Sequence, residues 1–265
     1  MKKQPLKYQF YATLLDAYSD YLHSDDIYSE YWGYSEEPPF SEEEFHEKKR
    51  LELINRINRV PMAWEDSEKA DRGTTFNEIV DCMILNCKSK KMDIERICDI
   101  DDNTNVIALR ATYNEREFTF PIKICREFAN YYKGAISQVY TEAVLPTKYG
   151  DVKLYGYIDE LMPSSVHDIK TTGKYSVGKF KNNWQRVVYP YCLNANGNKV
   201  YDFEYNILLI NERVSGDIYE TFIEYYAYFP KTEIPLLTTH VESLIEFVEV
   251  HRELITDLKI FNKHD

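Results

Sequence analysis

The stretch Gly156–Thr172, GYIDELMPSSVHDIKTT, decides how the rest of the chain is read. Aliphatic and aromatic residues flank a Pro/Ser cluster on both sides. It therefore reads as two short strands, Tyr155–Leu161 and Val166–Thr171, joined by a tight connection at Met162-Pro163-Ser164-Ser165. A hairpin centred between Pro163 and Ser164 puts Asp159 directly across from Asp168. Side chains alternate along a strand, so Lys170 shares the face of Asp168, while His167 and Ile169 point the other way. Opposed carboxylates whose Cβ atoms lie about 5 Å apart repel by ~3 kcal/mol at an effective dielectric of ~20. A divalent cation offsets that cost. Hard oxygen ligands suit magnesium or manganese, and a neighbouring ammonium can orient or help deprotonate the attacking water. The bland alternative is a surface hairpin with solvated charges, which an isolated Asp-x-Lys would favour because such tripeptides are common.

The segment that follows, Lys179–Asn196, reads as a helix carrying Gln185 and Tyr189 four residues apart on one face. Gly-x-x-Asp (Gly156–Asp159), Asp-x-Lys (Asp168–Lys170) and Gln-x-x-x-Tyr (Gln185–Tyr189), in this order and spacing, resemble the RecB-type branch of the PD-(D/E)XK nuclease superfamily. Upstream, Gly73–Asn86 (GTTFNEIVDCMILN) reads as a helix with Asn77 and Asp81 on one face. RecB-type nucleases are similar there too, with Gly-Thr-x-x-His and an acid four residues after the His. Asn77 stands at the His position, offering a neutral carbonyl oxygen in place of imidazole nitrogen, and Asp81 stands at the acid.

The resemblance covers roughly residues 73–210. It implies an α/β (α+β) fold with a restriction-endonuclease-like αβββαβ core, helices added at the amino end, and a strand and helix at the carboxyl end. It further implies that Asp159 and Asp168 hold one or two Mg²⁺ or Mn²⁺ ions, aided by the Ile169 carbonyl and by Asp81 or Asn77. Lys170 would position the attacking water, and Gln185 and Tyr189 would orient the substrate strand. Some RecB-type relatives hold an iron–sulfur cluster through one early and three C-terminal cysteines. Nothing after Cys192 supplies that group, so no such cluster is expected.

A chain of 265 residues can bury one sizeable core, and a single domain is expected. Residues 1–68 read as a helical extension, 69–211 as the core with a hairpin insertion at 100–121, and 212–265 as a terminal strand and helix. Tyr8–Leu22 repeats apolar residues at three and four spacing, the pattern of a helix. Ser41 and Glu44 form a capping box for a second helix, running to about Val60. Ile122–Gly134 reads as a helix, Gln138–Pro146, Phe203–Ile210 and Asp217–Phe229 as strands, and Glu233–Ile260 as a helix.

A formal net charge of −12 argues against a protein that coats nucleic acid with its whole surface. Between Ile169 and Tyr201, however, no Asp or Glu occurs, while Lys174, Lys179, Lys181 and Arg186 follow Lys170. That is a basic stripe beside an acidic pocket, as expected where a metal meets a phosphate backbone. Gly173–Lys179 matches the first seven positions of a P-loop, but Phe180 replaces the Ser/Thr that would bind magnesium, so no nucleotide is expected. The five cysteines show no zinc spacing and read as reduced and mostly buried. The opening residues lack the apolar run of a signal peptide, and no stretch of eighteen apolar residues occurs, so a cytoplasmic protein with no membrane contact is expected. With no complete Walker motif, the pattern fits a stand-alone exonuclease acting on DNA, alongside a recombination or repair partner protein. Two other readings stay open: an inactive nuclease-like binding module, and an endonuclease or nickase with the same site.

Overall fold

The computed structural model describes residues 6–214 and 216–261; residues 1–5 and 262–265, at the ends of the expected extension and tail, lie outside the described residues. In chain order the elements are β1 (Leu6–Tyr11), α1 (Ala12–Leu22), α2 (Ser24–Trp32), α3 (Glu42–Ile57), α4 (Glu68–Leu85), β2 (Asp93–Cys98), β3 (Val106–Tyr113), β4 (Arg116–Pro121), α5 (Ile122–Tyr131), β5 (Ile136–Thr147), β6 (Gly150–Leu161), β7 (Ser165–Thr172), α6 (Gln185–Ala195), β8 (Asp202–Asn211), β9 (Ile218–Ala227) and α7 (Pro230–Val250). This is a mixed α/β fold. The order α4-β5-β6-β7-α6-β8 reproduces the expected αβββαβ succession, with β2 to β4 and α5 inserted after its first helix.

The main sheet runs β1-β6-β7-β8-β9, and β5 adds to β6. Its middle is apolar on both sides: Phe203, Tyr205 and Ile207 of β8 pack with α1, α6 and α7, while Leu208, Ile210 and Ile169 pack with α4, α5 and the small β2-β3-β4 sheet. Burial on both faces is why β8 reads as a nearly continuous apolar run. β6 instead alternates, with Val152, Leu154 and Ile158 buried and Tyr157 exposed between them.

The decisive feature is how β6 is shared. β5 pairs along its whole length, from Thr147↔Gly150 to Ile136↔Leu161, and so takes up one edge. The other edge is divided between β1, parallel, which ends at Tyr11↔Tyr155, and β7, antiparallel, which begins at Glu160↔His167. Gly156–Asp159 therefore face a notch in the sheet where neither neighbour pairs with them. The expected hairpin register holds at Glu160↔His167 and Leu161↔Val166, and the pairing stops there, before Asp159 meets Asp168.

Several boundaries differ from expectation. The amino-terminal extension is not wholly helical: Leu6–Tyr11 is a strand, with Tyr8 and Phe10 buried in the main core, and the helix begins only at Ala12. α3 has the expected capping box but ends at Ile57, two residues before Arg59 adopts φ 54°. α4 starts earlier, at Glu68, and the insertion is a three-stranded sheet beginning at Asp93, not a lone hairpin. The helix expected from Lys179 starts at Gln185, because residues 176–183 form successive turns with Lys179 N–H bonded to Ser176 and Asn183 N–H to Phe180. α7 ends at Val250 and gives way to short 3-10 turns. No described helix is long and apolar enough to cross a membrane.

Candidate active site

The notch gathers most of the residues singled out by sequence. Asp159 reaches sideways across it, so that its Oδ2 accepts from the Ile169 N–H (3.0 Å) and from Asn77 Nδ2 of α4 (3.2 Å). The carboxylate thus replaces a strand as the partner of a β7 backbone amide. In an extended strand the N–H and C=O of one residue lie on the same edge, so the Ile169 carbonyl is turned toward the same gap.

Asp168, 3% exposed, belongs to a closed ring of contacts on the other wall. Its Oδ1 accepts from Gln185 Nε2 (2.9 Å) and its Oδ2 lies 2.7 Å from Lys170 Nζ. Lys170 Nζ in turn donates to Gln185 Oε1 (2.7 Å). Gln185 is at the first turn of α6, and one turn on, the Tyr189 hydroxyl accepts weakly from its Nε2 (3.4 Å). The Tyr189 ring lies flush against Gly156: a Cβ there would come 2.5 Å from Tyr189 Cε1, which no real side chain tolerates. The glycine of Gly-x-x-Asp is thus required by the tyrosine of Gln-x-x-x-Tyr.

Burial, and then the charge of Asp168, push Asp159 up to about 7 against the pull of Lys170 and the Ile169 N–H. Burial acts against the charge of Lys170, but Asp168, Asp159 and Asp16 outweigh it and its pKa is raised. Lys170 is thereby favoured as an ammonium, the form expected to orient a water.

Two groups of expected site residues also have partners of their own. Asp81 lies buried one turn beyond Asn77, beside Glu160. Burial and then Asp81 push the Glu160 carboxyl up to about 9, and burial raises Asp81 as well. In the basic stripe one charge, that of Arg186, is paired with an acid from outside the stretch, and Lys179 is turned back onto the stripe itself. Arg186 pairs with Glu233 of α7 (2.5 Å), Lys179 Nζ donates to Thr172 Oγ1 and the Lys174 carbonyl, and Glu224 of β9 accepts from the Gly178 and Phe180 amides. Lys174 and Lys181 remain exposed but take no part in the notch.

Asp16 of α1 escaped the sequence reading. It accepts from the Trp184 N–H at the start of α6, and burial pushes it up to about 7 beside Lys170. Its only sequence signal was an acid set between the apolar positions Leu15 and Tyr18 of an amphipathic helix. Glu160 was missed because its partner lies on a distant helix.

The donor set fits a hard cation. Among the described residues no three Asp, Glu, His or Cys side chains converge, yet two carboxylates, a backbone carbonyl and the Asn77 amide surround the notch. Asn77 Oδ1 is buried and without a hydrogen-bond partner, an oxygen whose desolvation nothing in the protein offsets.

No family model matches the chain, and no curated protein sequence does. A solved structure described as the crystal structure of SSO0001 aligns with a TM-score of 0.36 and 10% sequence identity, over 96% of this chain and 88% of that chain, a likeness too loose to bear on function.

Proposed function

We propose that the protein hydrolyses phosphodiester bonds of DNA with a divalent cation held by Asp159, Asp168, the Ile169 carbonyl and Asn77 Oδ1. The observation that carries this reading is the notch itself. Two carboxylates face one gap, one of them raised to about 7 by the other's charge and by burial, beside a lysine locked in its protonated form. When bound, Mg²⁺ or Mn²⁺ supplies Lewis acidity toward phosphoryl oxygens and lowers the pKa of water.

The chain's own residues do the rest. Lys170 has three N–H donors, two of them directed to Asp168 and Gln185, leaving one for the attacking water or a phosphoryl oxygen. Gln185 fixes Lys170 and Asp168 against each other, so neither must reorganise when charge develops on phosphorus. Asp16 holds the first turn of α6, and with it Gln185, in register with the notch. Exonucleolytic action on DNA ends, of the recombination or repair kind, is the form we favour.

One observation favours a second reading, a nuclease-like binding module: the α4 side chain that reaches Asp159 is an amide, Asn77. The test is degradation of end-labelled linear duplex, single strands and covalently closed circles with Mg²⁺ or Mn²⁺. The expected result is ion-dependent loss of linear DNA, reduced at least about a thousandfold in Asp168→Ala. Cleavage of closed circles would make the enzyme an endonuclease. An inactive parent with both ions, or an Asp168→Ala variant as active as the parent, would contradict the proposal.

A further inference from the structure

We propose that the groove between the segment following α3 and strand β6 is the path of a single strand of nucleic acid, with its bases stacked on tyrosines as it approaches Asp159. The groove has a volume of about 1080 Å³ and ends at Gly156 and Tyr189, so it opens directly onto the notch. Its wall is built by the amino-terminal residues that the nuclease resemblance leaves unexplained.

The floor is aromatic. Tyr155 and Tyr157 both line it, and by strand alternation they share a side of β6 with Asp159, two residues further on. Tyr157 is 60% exposed. Tyr11 and Tyr140 flank them, with ring centroids 6.1 Å from Tyr155 and 5.2 Å from Tyr157. These pairs are tilted by 57° and 56°, so the rings do not cover one another's faces. Successive tyrosines on one side of a strand lie about 6.6–6.8 Å apart, roughly twice the 3.4 Å rise of stacked bases. A chain reaching from ring to ring must be unstacked, which a single strand allows and a duplex does not.

The charge balance points the same way. Lys48, Arg56 and Arg59 line the groove against Glu52 and Asp66, so the cationic excess is small. Arg59 is further occupied, donating to the Tyr155 hydroxyl (2.7 Å) and pairing with Asp257 (3.1 Å). On a protein of net charge −12, phosphate contacts alone would bind a duplex weakly. Base stacking, which is indifferent to sequence, supplies what charge does not.

The inference rests on the nuclease reading only for why a strand would be led to Asp159; its binding test does not. Anisotropy of a labelled oligothymidylate and of a blunt duplex of equal length would be measured in EDTA, for the parent, Tyr157→Ala and Arg56→Ala. The parent should bind the oligonucleotide more tightly than the duplex. Tyr157→Ala, a change at an exposed position, should weaken oligonucleotide binding about tenfold and leave duplex binding unchanged. Arg56→Ala should reduce the salt slope by about one. A parent that prefers duplex, or that binds neither, would overturn the groove assignment, as would a Tyr157→Ala variant that binds the oligonucleotide like the parent. Loss of cleavage with this binding pattern intact would instead remove the hydrolytic reading and leave the groove standing.

Discussion

The two walls of the notch are built to different degrees of completion. On the α6 wall, Asp168, Lys170 and Gln185 form a closed ring, and Tyr189 seals it against Gly156. On the α4 wall, Asp159 has only amide donors, Asn77 Oδ1 is buried without a partner, and Asp81 is turned beside Glu160. The ring positions its groups, and leaves Asp168 Oδ2 beside the Lys170 ammonium without a hydrogen-bond partner. An open wall carries a desolvation cost that a cation is able to offset, and the difference locates where binding energy for an ion would come from.

The most forceful way to break this contrast is to spoil the closed wall. Gly156→Ala drives a methyl into the Tyr189 ring, and overpacking of this kind costs about 1–3 kcal/mol. Because the displaced ring carries Gln185 with it, cleavage should fall about a hundredfold or more. Denaturant unfolding and cleavage rate together check this, and Gly156→Ala combined with Tyr189→Leu should recover stability but not activity. Equal rates for Gly156→Ala and the parent would mean that the α6 wall does not position Lys170.

The open wall should respond more mildly. Asn77→His replaces the unpartnered amide with imidazole, and the cation concentration for half-maximal cleavage should fall about tenfold with Mn²⁺, which imidazole suits better than it suits Mg²⁺. The maximal rate should change little, since Lys170 and Gln185 are untouched. A metal titration of cleavage rate measures both, and an unchanged half-maximal concentration would place the ion away from α4.

The closed wall was legible in the sequence because all its parts are local. Gly156, Asp168, Lys170, Gln185 and Tyr189 lie within 34 consecutive residues, and the hairpin register followed from the position of the Pro163-Ser164 turn. What could not be read depended on contacts between distant segments. The strand Leu6–Tyr11 runs straight into the apolar repeat of α1, and only its parallel pairing with Asp151–Tyr155 distinguishes the two. The start of α6 is fixed by Asp16, 168 residues away from Trp184. Charge counting along the chain found an acid-free stretch, but Glu224 and Glu233 meet it from β9 and α7. The raised carboxyls of Asp81 and Glu160 arise first from burial, which a linear sequence does not display.

The contrast between the walls is tested most directly by titration calorimetry of Mn²⁺ into the parent and Asp159→Asn, at pH 6 and pH 8 in buffers of different ionisation enthalpy. Asp159 has an ordinary carboxyl pKa when unfolded and about 7 when folded, so the ion-free protein binds the extra proton and loses stability as pH rises from about 4 to 7. A bound cation restores the charged form. The account predicts that Mn²⁺ binds the parent more tightly at pH 8, that up to one proton is released on binding at pH 6 and almost none at pH 8, and that Asp159→Asn binds weakly with no such pH dependence. Binding of equal strength at both pH values with no proton released, or unchanged binding to Asp159→Asn, would contradict it.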